Sequence, residues 1–124
     1  MKKVLIVDDA ATVRMYHRKL LEDAGFEVDE AINGYEALEK AYVNYYDLYI
    51  VDINMPQLDG YNFVKEIRSS ESLKQSPVIM VSTEAEENDI EKAYKNGANF
   101  YIVKPVKPNE FIKICKLFSG EPYE

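Results

Sequence analysis

Short apolar runs alternate along this chain with segments of helical period, and that alternation limits the fold more than any other feature. Residues 4–7, 48–51 and 78–81 are continuous apolar runs, as strands covered on both faces would be. Residues 99–103 supply another strand. Residues 26–31, charged and alternating, read as a weaker strand suited to a sheet edge. A helix-period segment follows each. Val13, Tyr16, His17, Leu20, Leu21 and Ala24 share one face, with Gly25 as the stop. Asn33 and Glu36 resemble a capping box ahead of Ala37, Leu38, Ala41 and Tyr42. Asp59 can cap a helix bearing Phe63, Val64 and Ile67. Thr83 and Glu86 have capping-box spacing for a helix through Ile90, Ala93 and Tyr94, stopped at Asn96-Gly97. Pro108 suits the first turn of a last helix with Phe111, Ile112, Cys115 and Phe118 as its apolar positions. Five strand–helix units imply an α/β fold, a five-stranded parallel sheet flanked by five helices. At 124 residues, one domain is expected, over residues 1–120, with residues 121–124 as a short tail.

The strands end in polar groups. Residues 4–7 run into Asp8 and Asp9, residues 48–51 into Asp52, residues 78–81 into Ser82, and residues 99–103 into Lys104. In parallel sheets, ligands bind beyond the carboxyl ends of the strands, where strand order reverses. Five groups far apart in sequence therefore fall on one rim. Each has an ordinary reading alone: a turn or cap carboxylate, a helix-dipole partner, a solvated loop lysine. Together they point to chemistry. Three convergent carboxylates repel one another unless a cation holds them, so a divalent metal beside a reactive Asp52 is expected.

Composition narrows the classes. A net charge of −7 disfavours direct nucleic-acid binding. The single cysteine, Cys115, excludes an internal disulfide and fits a reducing compartment. Met1-Lys2-Lys3 precedes too few apolar residues for a signal sequence or a membrane span, so a cytoplasmic protein without membrane association is expected. Cys115 reads as a small core residue. His17 reads as a packed or half-exposed side chain rather than a ligand, since no partner for it is suggested nearby.

The segments Val7-Asp8-Asp9, Asp52-Ile53-Asn54-Met55-Pro56 with Asp59-Gly60, Val81-Ser82-Thr83-Glu84 and Val103-Lys104-Pro105 resemble the receiver domain of bacterial two-component response regulators. The likeness spans nearly the whole chain. It is nearest to stand-alone, CheY-like receivers, because no output domain follows in this sequence. It implies the flavodoxin-like strand order 2-1-3-4-5. It also implies that Asp52 accepts a phosphoryl group from a sensor histidine kinase. Asp9, Asp52 and the Asn54 carbonyl would bind Mg²⁺ (or Mn²⁺) directly, and Asp8 through water. Lys104 and the Ser82 hydroxyl would meet phosphate oxygens. Tyr101 would be the aromatic switch that turns inward as Ser82 moves, and Lys104-Pro105 a cis peptide. Asn54, Thr83 and Glu84 would govern access to the phosphate. Thr83 departs from the small residue usual in the family and could narrow the approach.

By the same resemblance, the chain is a phosphoacceptor signalling domain rather than an enzyme proper, although it assists its own phosphorylation and dephosphorylation. Its phosphorylated form would bind a target protein through the fourth helix, fifth strand and fifth helix, where Glu91, Lys95, Tyr101 and Lys113 are expected. Chemotaxis is one setting for such a switch. A phosphorelay intermediate and a receiver cut from a larger regulator are the alternatives. A Mg²⁺-dependent phosphohydrolase of the haloacid-dehalogenase type is less favoured, because Asn54 stands where that chemistry needs an acid. A flavin carrier of similar fold is disfavoured by Asp8-Asp9, which would repel a metal-free phosphate.

Overall fold

The computed structural model describes residues 1–121. The elements run β1 (Lys3–Val7), α1 (Ala11–Asp23), β2 (Glu27–Ala31), α2 (Gly34–Val43), β3 (Leu48–Val51), α3 (Gly60–Ser69), β4 (Val78–Ser82), α4 (Glu87–Lys95), β5 (Phe100–Val103) and α5 (Pro108–Ser119). The strands form one parallel sheet in the order β2-β1-β3-β4-β5. The five strands, the five helices and the expected order are all present. The tail assigned to residues 121–124 lies, beyond Glu121, outside the described residues.

Strand alternation builds two cores. Leu5, Val7, Tyr49, Val51, Val78, Met80 and Tyr101 face α2, α3 and α4, where Ala37, Ala41, Phe63, Ile67 and Ala93 meet them. Val4, Ile6, Leu48, Ile50, Ile79 and Val81 face α1 and α5, where Leu21, Phe111 and Cys115 meet them. Burial on both faces explains why β1, β3 and β4 read as unbroken apolar runs.

β2 is an edge, as its charges imply, but those charges are paired. Lys3 lies 3.5 Å from Asp29. Arg14 and Arg18 reach Glu30 at 2.9 and 2.6 Å. Tyr46 donates to Asp29. Asn33 and Asp59 cap α2 and α3 through side-chain oxygens, as their positions predict. The Glu36 carboxylate answers Asn33 by accepting from the Ile32 amide instead of the cap residue's own.

Thr83 does not cap α4. β4 continues through Ser82, whose carbonyl accepts from the Lys104 amide and whose hydroxyl accepts from the Glu84 amide. Those bonds hold Thr83 in the loop, and α4 begins at Glu87 with Glu86 as a cap lacking any side-chain bond. His17 is fully packed rather than half-exposed: its ring lies 5.1 Å from that of Phe111. Burial lowers its pKa to about 4, with the nearby Lys104 ammonium pushing the same way. Cys115 is buried in the α1/α5 core, as expected. None of the helices among the described residues is long and apolar enough to cross a membrane.

Candidate functional site

The order reversal lies at β1, whose two neighbours lead the chain in opposite directions along the sheet. β1 and β3 pair through Val7 and Val51, so the residues that follow both strands emerge side by side. The Asp52 amide donates to the Val7 carbonyl at 2.8 Å, continuing the ladder one residue beyond the strand. Asp8, Asp9 and Asp52 each offer a carboxylate oxygen, all within 4.8 Å of one another. Asp8 is buried and Asp9 exposed. The Asp52 side chain is 12% exposed, enough to be reached from solvent.

Lys104 arrives from the end of β5. Its Nζ lies 2.8 Å from Asp8 Oδ2 and 3.4 Å from Asp52 Oδ1. The peptide it shares with Pro105 is cis, as the resemblance implies. The other Asp8 oxygen, Oδ1, accepts from the Ala10 amide at 2.9 Å. Burial raises the Asp52 pKa from 3.8 to about 6; Lys104 opposes that rise and Asp8 adds to it. Desolvation therefore outweighs the attraction of the ammonium.

Three carboxylates and one ammonium leave two net negative charges on a set of hard oxygen donors. That set suits a hard divalent cation of the Mg²⁺ or Mn²⁺ type. Asp8, Asp9 and Asp52 would hold it.

The other expected residues surround this centre. Ser82 is buried, and its hydroxyl accepts from the Glu84 amide at 3.1 Å. Tyr101 is buried with its hydroxyl donating to the Glu84 carbonyl at 2.7 Å. Burial raises its pKa, while the adjacent Ser82 hydroxyl opposes the rise. Asn54 donates to the Glu84 carboxylate at 3.2 Å, bridging the loops after β3 and β4. Thr83 is exposed and lines an apolar hollow of about 290 Å³ beside Lys104, with Val13, Tyr16, His17, Pro105 and Val106. The structure thus brings Asp8, Asp9, Asp52 and Lys104 together and links Asn54, Ser82 and Tyr101 to Glu84 in the loop after β4, while Glu91 and Lys95 lie on α4 and Lys113 on α5.

Two contributors had no assigned role. Arg14 donates to the Asp8 carbonyl at 2.7 Å. Gly60 packs its Cα against the segment carrying Asp52: a Cβ there would sit 2.2 Å from the Asp52 carbonyl oxygen and 2.9 Å from Ile53 Cα. Gly60 stands in the Asp59-Gly60 pair, but only the fold shows what it touches. Gly60→Ala must push α3 off the β3 loop. The expected loss of stability is about 1–3 kcal/mol, the usual cost of overpacking, read as a lowered urea midpoint. A midpoint equal to that of the unsubstituted protein would show that the contact relaxes freely.

The model of the response regulator receiver domain matches residues 4–116. The transcriptional regulatory protein SrrA of Staphylococcus aureus is 37% identical over 110 residues, which cover 89% of this chain and 44% of that protein. The chain thus spans less than half the length of the curated relatives it matches. The chemotaxis protein CheY4 of Vibrio cholerae superimposes with a TM-score of 0.89 at 37% identity, covering 95% of this chain and 98% of that one. The receiver domain of the sensor histidine kinase PA1611 from Pseudomonas aeruginosa PAO1 superimposes with a TM-score of 0.88 at 29% identity, covering 96% and 98%. That structure has a magnesium ion coordinated in its active-site cleft.

Proposed function

The chain belongs to the response regulator receiver domains, and from that premise we propose that Asp52 accepts a phosphoryl group from a sensor histidine kinase. The observation that carries this reading is the placement of the Lys104 ammonium across Asp8 and Asp52, beside three clustered carboxylates. Phosphoryl transfer asks mainly for positioning and charge neutralisation, and this rim offers both.

With a pKa of about 6, Asp52 is largely ionised near pH 7 and can attack phosphorus. The bond from phosphorus to the donor nitrogen breaks as a bond to an Asp52 carboxylate oxygen forms. A bound Mg²⁺ or Mn²⁺ supplies charge neutralisation for the phosphoryl oxygens. Lys104 is within reach of one such oxygen, and Ser82 is the candidate donor to another. Departure of the Ser82 hydroxyl from the Glu84 amide would disturb the loop whose carbonyl Tyr101 holds. That loop leads into α4. The result is a shift between two states that a target can tell apart at the α4, β5 and α5 face. Chemotaxis is one setting for such a target, and a cytoplasmic location fits the kinase as donor. A second reading is favoured by the length of the SrrA relatives: the chain is the receiver part of a longer regulator, with its target in the same polypeptide.

The test is incubation with Mg²⁺ and a small phosphodonor, followed by intact mass and peptide mapping. One phosphoryl adduct on the peptide carrying Asp52 is expected, and none in excess EDTA. An adduct that persists in EDTA, or that maps elsewhere, contradicts the reading.

A further inference from the structure

α1 starts without a side-chain cap: Ala10 occupies the N-cap position, and no acidic residue lies in the first turn. The turn between β1 and α1, which carries Asp8 and Asp9, is held from within by Asp8 Oδ1, which accepts from the Ala10 amide. Arg14 holds it from α1. Its Nη1 donates to the Asp8 carbonyl at 2.7 Å and its Nε to Glu30 Oε1 at 2.9 Å. The guanidinium is a planar fork, so the two bonds fix its plane and position.

The anchor is itself held from several sides. Arg18 Nη1 donates to the other Glu30 oxygen at 2.6 Å, and Lys40 donates to the Glu30 carbonyl. The next residue, Ala31, accepts the Asp8 amide at 3.0 Å. Glu30 therefore stands on a fixed point at the end of β2. The carbonyl that Arg14 grips belongs to the peptide between Asp8 and Asp9. Rotation of that peptide moves Asp9 relative to Asp8, and so changes the spacing of two of the three clustered carboxylates.

We propose that Arg14, braced on Glu30, is a positioning residue for cation binding: it sets the Asp8–Asp9 peptide so that both carboxylates address one ion. The inference rests on the proposed cation site. It concerns a residue that would touch neither the ion nor the phosphoryl group.

The test uses Mn²⁺ as the probe, with the free ion counted by its electron paramagnetic resonance signal against the unphosphorylated protein. Arg14→Gln should weaken Mn²⁺ binding by about 10-fold or more, the usual scale for groups that orient metal ligands. Arg14→Lys, which can reach one acceptor but cannot reproduce the fork, should recover part of that loss. Arg18→Gln removes a second contact to Glu30 but none to Asp8, so its binding should stay within about twofold of the unsubstituted protein. Circular dichroism before titration ensures that each variant compared is folded. If Arg14→Gln binds as well as the unsubstituted protein, the positioning role is wrong and the cation site stands. If Arg18→Gln weakens binding as much as Arg14→Gln, the effect belongs to the Glu30 cluster and the role assigned to Arg14 is overturned. If the unsubstituted protein binds no Mn²⁺, the cation site itself is wrong, and this inference falls with it.

Discussion

Asp52→Asn is expected to abolish the phosphoryl adduct and, at the same time, to make the cation-free protein more stable at pH 7 by about 2–3 kcal/mol. The loss of labelling follows from removal of the nucleophile. The gain in stability follows from burial. In the folded chain the Asp52 carboxyl keeps its proton up to about pH 6, whereas the unfolded chain releases it near 3.8. Between those values the folded state binds more protons, so stability falls as pH rises through that window. The span corresponds to about 3 kcal/mol at full ionisation, from about 1.4 kcal/mol for each tenfold change. Asn has nearly the same shape and never ionises. The advantage of the variant should be absent below about pH 4, grow towards pH 6 and level off near pH 7. Saturating Mg²⁺ should narrow it, because the ion stabilises the carboxylate only where the carboxylate exists. Urea unfolding in EDTA at several pH values reads this directly. A variant less stable than the parent at pH 7 would mean that Lys104 compensates for the burial of Asp52.

Lys104→Met should act in the opposite sense. Among the described residues, Lys104 is the cation within 4 Å of both Asp8 and Asp52, and the side chain of Asp8 is only 4% exposed. Removing one partner of a buried pair leaves the other charge uncompensated, at a cost of about 3–5 kcal/mol. Methionine keeps an unbranched apolar stem beside Pro105 and Val106, so the loss reports charge more than packing. Loss of the ammonium also removes what now restrains the Asp52 pKa, which should move above 6. Both effects should shrink when Mg²⁺ is added, since a divalent ion supplies the missing positive charge. Thermal unfolding of the variant in EDTA and in Mg²⁺ separates these contributions. Equal destabilisation in both would place the role of Lys104 in packing instead.

The readable parts of this chain were those with local causes. β1, β3 and β4 announce themselves because both faces of each are covered, leaving no polar residue to interrupt the run. The capping roles of Asn33 and Asp59 follow from their own side chains and a position three residues on. The candidate rim was legible for a similar reason, since each polar residue ends or directly follows an apolar run. What was hidden depends on distant partners. Thr83 has the spacing of a cap, yet the Lys104 amide draws the end of β4 onward and the helix starts later. The depth of His17 is set by Phe111 on α5, which helical spacing within α1 does not reveal. Arg14 looks like any exposed helix cation until Glu30 and the Asp8 carbonyl are brought to it. Gly60 looks like a turn glycine until Asp52 is seen against its Cα.

The ion pair between Asp8 and Lys104 joins the ends of the first and last strands. A nascent polypeptide that ends before β5 has the acids but not the ammonium. The pairing of acid with ammonium is therefore a certificate that the sheet is complete through β5. Any ligand confined to the folded state raises stability by RT ln(1 + [L]/Kd), about 1.4 kcal/mol at ten times Kd. A ligand held at this rim would therefore also slow proteolysis of the domain, by lowering the population of the unfolded chain.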